Sequence, residues 1–355
     1  MAEPRTGGLG IDELSLATRN HGMPLEALQL DLTPVGMHYV LTHYDVPFLD
    51  TSSWSLTIDG AVTRPTTLTY EELREMPTVS LSVTLECAGN GRALLEPRPV
   101  SQPWLLEAIG TATWTGVPLA SLLDRVGLAD DAVDLVFTGA DRGVEDGEEH
   151  DYERGLSVAD ARRDGVLLAL EMNGQPLPPV HGFPVRLVVP GWYGMASVKW
   201  LRRIRAVTEP FAGYQNARAY RWREDPDDEG VPMERIRVRS LLVPPGIPEF
   251  QPRIRRVRAG VVVLEGRAWS GGGDVLRVEV STDDGATWDD AGLDPPLGPS
   301  AWRRFSFRWD ALPGRTVVMS RATDATGATQ PLDPSWNVGG YGNNAVQRIE
   351  VVVEG

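Results

Sequence analysis

The chain has 355 residues, 42% hydrophobic and 23% charged, which is ordinary globular composition and too long for one core, so two domains are expected. A formal net charge of −15 argues against nucleic acid as a partner, because phosphate binding needs a basic footprint. A single cysteine excludes an intramolecular disulfide, a CxxC metal knot and a CxxCH haem attachment.

The first residues, 1–35, read as a loosely structured arm of short turns rich in Gly, Pro and His. They contain neither the apolar core of a signal peptide nor a twin arginine, and no later run reaches the length of a membrane span, so a cytoplasmic protein is expected. From Trp54, WSLTIDGAVTRPTTLTYEELREMP reads as strand, turn and short helix, with Thr69 as cap and Glu71 and Glu72 in the first turn. TVSLSVTLEC is rich in β-branched residues and reads as a strand ending at Cys87. Residues 119–126 form an amphipathic helix after Trp114 and a Thr115-Gly116 turn. Residues 165–172 are apolar and run into Asn173-Gly174, a strong hairpin signal. PVRLVVP, 184–190, reads as a buried strand, and 197–207 as another β-prone segment.

Residues 225–232 are acidic and turn-rich, and beyond them helical periods vanish. Short strands separated by Gly, Pro and Asp turns follow to the C-terminus, the spacing of an all-β immunoglobulin-like sandwich. The boundary is placed near Val231, giving domains 1–230 and 231–355. STDDGATW, 281–288, resembles an Asp-box and reads as a hairpin turn closed by Asp side chains over Trp288. Gly271 to Gly273 lacks a following helix and is no nucleotide loop.

Two stretches carry candidate chemistry. A lone cysteine is more often a small buried hydrophobe than a ligand. In CAGNGR, however, Gly89 and Gly91 let the backbone approach a bulky group, and Arg92 can hold a thiolate or an anion. In HGFPVRLVVPGWYGMASVKWLRR, His181, Arg186 and Lys199 surround a glycine-rich turn at 191–194. That pattern makes a phosphate cradle, and it equally fits solvated strand-edge residues.

Taken together, CAGNGR (87–92), WLLEAIGTATWTGVPLASLL (104–123), LLALEMNGQPLPPVHGFPVRLVVPGWYGMASVKWL (167–201) and SWNVGGYGNNA (335–345) resemble the sulfite oxidase family of molybdopterin enzymes. The resemblance implies an α+β molybdopterin-binding catalytic domain followed by an immunoglobulin-like domain that forms a homodimer. It implies that Cys87 gives molybdenum its one protein thiolate, the cofactor supplying the remaining sulfurs from one molybdopterin. His43, Asn90, His181, Arg186, Gly194, Ser197 and Lys199 would hold the cofactor. Arg92 and Tyr152 would serve the substrate pocket, and Trp104 would line its wall or simply pack in the core. The implied reaction is two-electron oxo transfer of the sulfite oxidase or sulfite dehydrogenase type. A haem module of its own would need more than the forty residues before the core, so a separate electron-transfer protein is expected.

Departures from the family concern the substrate. Arg19-Asn20-His21 looks like the family's Arg-Asn-His triplet but lies 68 residues before Cys87, further than the family spacing, and is read as a decoy. The segment 39–47 fits the expected place, with Leu41 where the arginine would stand and His43 keeping the histidine. Gly339 replaces a second family arginine, and Gly91 the first of a family arginine pair. Each lost charge-assisted contact weakens oxyanion binding by about 1.5–3 kcal/mol. A reductase of S- or N-oxides is therefore the alternative, with a cofactor-free binding or scaffold protein of the same fold as a third reading.

Overall fold

The structure, a computed structural model, describes residues 8–355. The N-terminal half is built on two sheets. In the first, β1 (Ser55–Gly60) pairs with β2 (Thr66–Thr69), and α2 (Tyr70–Arg74) follows β2 directly. Thr69 caps the helix as the sequence predicts, its hydroxyl accepting from the Glu72 amide, and Glu72 also reaches back to the Thr69 amide. The second sheet begins with β3 (Val79–Glu86) and β4 (Ile109–Pro118). Ser80 pairs with Thr115, Ser82 with Thr113 and Thr84 with Thr111 through their hydroxyls on one face. Val83 and Leu85 are buried on the other face, which is the period-two logic of a strand.

Helix α3 (Leu119–Val126) buries Leu119, Leu122, Leu123 and Val126. Strands β5 (Asp134–Glu145) and β6 (Glu148–Ser157) form a long hairpin. Next, β7 (Leu167–Met172) turns through Asn173 and Gly174, both at positive φ, into β8 (Gln175–Pro176). β9 (Arg186–Val188) adds to β7, and β10 (Leu201–Val207) returns to the first sheet, whose order is β2-β1-β10-β5-β6. The main apolar core of this half includes Leu56, Phe137, Leu168 and Ile204.

The C-terminal half has two sheets, one through 239–242, 260–269, 303–311 and 292–293, the other through 247–248, 255–258, 349–354, 314–324, 275–281 and 289–290. Phe305, Val278, Val318 and Val351 are in the core of this sandwich. In the 281–288 turn, Asp283 accepts from the Thr287 amide and hydroxyl, as the Asp-box reading predicts.

The arm departs from its expectation. Ile11–Arg19 forms helix α1, and Met23 and Leu28 are buried against Trp269 and Trp302 in a third core cluster. Gly10 gives this helix no side-chain cap; the Glu13 carboxylate accepts from the Gly10 amide and forms a buried ion pair with Arg98. Local sequence under-predicts the segment because its order comes from tertiary contacts.

Candidate active site

Cys87 follows β3 directly. Its amide donates to the Ala108 carbonyl at 2.9 Å, and its carbonyl accepts from the Asn90 amide at 3.0 Å. The chain then turns through Gly91, at φ +89, where a Cβ would fall 2.8 Å from Asn343. Only glycine meets both conditions. Cys87 lines a cavity of about 620 Å³, mouth included, shared with Leu41, His43, Asp141, Tyr152, His181 and Arg186, and with Gly194, Ser197, Lys199 and Tyr220. Burial raises the Cys87 thiol above its ordinary pKa, with the Arg92 charge opposing.

The cavity holds two cations, Arg186 buried and Lys199 half-buried. Arg186 donates to the carbonyls of His181 and Ser197, each at 3.1 Å, and lies 4.8 Å over the Trp114 ring. Lys199 donates to the carbonyls of Leu41 and Val180 at 2.9 and 3.1 Å and lies over Trp200. Neither forms a salt bridge with a carboxylate among the described residues. Burial lowers Lys199 to about 7, aided by Arg186, and Arg186 to about 10. Both therefore gain from an anion placed between them.

Burial also keeps the histidines neutral. His43 is held at about 3, with Lys199 adding to the effect, and its Nε2 lies 2.5 Å from the Tyr220 hydroxyl. Its ring is 4.8 Å from that of Tyr152, whose hydroxyl donates to the Met195 carbonyl at 2.9 Å. His181 is lowered to about 2, burial leading and His38 following. Ser197 Oγ accepts from the Val189 amide, and at Gly194 a Cβ would fall 2.3 Å from the Tyr39 hydroxyl.

Two residues expected at the site lie outside the cavity lining. Asn90 spends its side chain on its own loop, donating to Glu86 and the Leu106 carbonyl and accepting from the Ala108 amide. It braces the Cys87 turn and is not among the residues that line the cavity. Arg92 donates to the carbonyls of Gly339 and Gln102, each at 2.9 Å, with its guanidinium 5.2 Å from the Tyr341 ring. Its position departs from a free arm in the substrate pocket, because two of its nitrogens are engaged. Trp104 is buried beside Cys87, with an indole N–H that has no hydrogen-bond partner among the described residues. At position 339, a Cβ would fall 2.2 Å from the Tyr341 ring, so that ring fills the space of a side chain there. Arg19 donates to the Tyr44 carbonyl from a part-exposed position, and Asn20 accepts from the Thr42 amide.

Sequence reasoning missed Asp141 and His38. Asp141 lines the cavity with an unpartnered Oδ1, and burial raises it to about 6. His38 also lines it, with an unpartnered Nε2. Each stands alone in the sequence, and no motif marks it. Among the described residues, no group of three or more His, Cys, Asp or Glu side chains can hold a metal ion unaided. A metal bound by Cys87 would therefore take its other donors from an organic group, and that group's anionic end would match Arg186 and Lys199. The residues present fit a sulfur-bearing, phosphate-bearing metal cofactor.

Comparison with known proteins gives the same class. Residues 43–215 match the oxidoreductase molybdopterin binding domain, and 234–354 match the Mo-co oxidoreductase dimerisation domain. An NADH nitrate reductase of Solanum lycopersicum is 33% identical over 91% of this chain and 38% of its own length. Mitochondrial sulfite oxidase of Homo sapiens is 34% identical over 91% of this chain and 62% of its own length. Among solved structures, the sulfane dehydrogenase SoxCD from Paracoccus pantotrophus superposes with a TM-score of 0.82 at 27% identity, covering 98% of this chain and 93% of that one. The chain thus spans less than two thirds of the length of these curated relatives. The fold and site define a molybdopterin-binding domain followed by a Mo-co dimerisation domain. The chain belongs to the molybdopterin-binding family that its two domain models describe, to which sulfite oxidase and the NADH nitrate reductases are similar over the same span.

Proposed function

We propose that this protein is a molybdenum-cofactor oxidoreductase that moves an oxygen atom to or from a small molecule while two electrons pass in the opposite direction. The observation that carries this reading is one cavity holding the Cys87 thiol together with two cations, Arg186 buried and Lys199 half-buried, that form no salt bridge among the described residues. Cys87 would bind the metal, and Arg186, Lys199, His181, Ser197 and the Gly194 backbone would hold the pterin and its phosphate. The bound group supplies two-electron oxygen-atom transfer. The chain's own residues orient and shield: Tyr152 is tied to the Met195 carbonyl, and the neutral His43–Tyr220 pair keeps a shared proton at the cavity wall. Trp114 and Trp200, both fully buried, exclude water behind the cations and strengthen their pull on an anion. Molybdenum near one equivalent per chain in protein from a molybdenum-replete host is the expected result; a folded protein with only traces would overturn the reading in favour of a scaffold.

Sulfite-type oxidation is the first reading of direction, given the relatives. Reduction of S- or N-oxides is a second, favoured by Leu41 on the cavity wall, by the engaged Arg92 and by Tyr341 filling the space at Gly339. A less cationic pocket suits a neutral oxide better than an oxyanion. Sulfite with ferricyanide, set against sulfoxides with reduced viologen, separates them; turnover in the second assay alone would reverse the first reading. Electrons would pass to or from a separate carrier protein, and residues 234–354 would join two copies as a homodimer.

A further inference from the structure

The Cys87 loop is gripped from behind by the C-terminal domain. β3 alternates its side chains, so Leu85 and Cys87 face the cavity while Glu86 faces the other way. Glu86 is 2% exposed. Its Oε1 accepts from Arg239 Nη1 at 2.7 Å and from Asn90 Nδ2 at 3.0 Å, and its Oε2 accepts from Trp269 Nε1 at 2.8 Å. The same face of the loop is held elsewhere: Gly342 N–H donates to the Ala88 carbonyl at 2.7 Å and Asn343 to the Gly91 carbonyl at 2.8 Å. Arg92 reaches the Gly339 carbonyl in the opposite direction.

A buried carboxylate and arginine are costly to desolvate, and two apolar side chains would join the domains at less cost. Here the pair sits one peptide from the thiol, and its clamp comes from two paired strands of one C-terminal sheet, Arg239 standing directly opposite Trp269. We infer that Glu86, clamped by Arg239 and Trp269, is a positioning residue that fixes the Cys87 sulfur toward the metal, so that the domain matched to dimerisation also completes the metal site. The inference rests on the reading of Cys87 as the molybdenum ligand. Cys87 needs such a hold because the loop after it is built of turns, and a displaced sulfur changes the metal's ligand field more than it changes the fold.

The test uses the full-length holoenzyme in three variants. Trp269→Phe removes one N–H donor and keeps a ring in the core; Arg239→Lys keeps the charge and loses the planar fork. Arg235→Met breaks a contact between the same two domains, through Asp160, away from the loop. At equal molybdenum content, Trp269→Phe should move the g-values of the Mo(V) EPR signal and lower turnover by about 10–100-fold. Arg239→Lys should shift the signal less, and Arg235→Met should leave it native. Native spectra and rates in Trp269→Phe and Arg239→Lys, with only a lower melting temperature, would reduce the clamp to domain glue and overturn the inference. A native protein with no Mo(V) signal and no molybdenum would overturn the Cys87 reading beneath it, an outcome visible before any variant is made.

Discussion

Arg186 and Arg239 are both buried arginines near Cys87, yet their partners differ. Arg239 lies behind the loop and meets the Glu86 carboxylate at 2.7 Å, so its charge is answered within the protein. Arg186 lies in front, and its partners are carbonyl oxygens alone. Carbonyl dipoles satisfy N–H groups without neutralising a charge, and Lys199, on the same cavity, likewise donates to carbonyls. The contrast separates architecture from function: the answered arginine holds the site together, and the unanswered one waits for an anion that the chain does not supply.

That contrast can be broken experimentally. Arg239→Met leaves Glu86 as a buried, unpaired carboxylate and should cost about 3–5 kcal/mol of stability in urea unfolding. Arg186→Met should instead lower cofactor retention about 10–100-fold on dilution, measured by molybdenum content. If Arg186→Met kept its cofactor, the front of the loop would not be an anion site. Lys199 sharpens the same point through pH. Its folded pKa of about 7 lies below the ordinary 10.5, so between these values the unfolded chain binds the proton that the folded, cofactor-free protein has released. Stability of the cofactor-free protein should therefore gain from Lys199 as pH rises from 7 towards 10.5, with the full penalty below 7, and Lys199→Met should flatten that rise. The smallest expected effect is far from either arginine: Thr69→Ala removes a helix cap and should cost about 1 kcal/mol with no change in molybdenum content.

Much of the fold was legible because local chemistry and tertiary context agree. The β-branched run of β3, the Thr69 cap and the Asn173-Gly174 turn each state one conformation, and each is found. Helix α1 was not legible, since Gly10 offers it no side-chain cap and the Glu13–Arg98 pair spans 85 positions. At the site, the cavity-facing set Cys87, His43, Tyr152, His181, Gly194, Ser197, Arg186 and Lys199 comes together as a constellation. Asn90 and Arg92 have partners that adjacency to the thiol does not announce. Both sit within five residues of the thiol, but the turn after β3 sends their side chains into the loop and the second domain. Asp141 and His38 reach the cavity only through packing, so nothing local announced them.

The central claim is that Cys87 is the protein's one donor to the metal, in a cavity whose cations hold the rest of the cofactor. Molybdenum X-ray absorption on the holoenzyme and on Cys87→Ser tests it most directly. The account predicts one sulfur scatterer fewer around molybdenum in the variant, with the cofactor still held through Arg186 and Lys199. An unchanged sulfur shell in Cys87→Ser would contradict it.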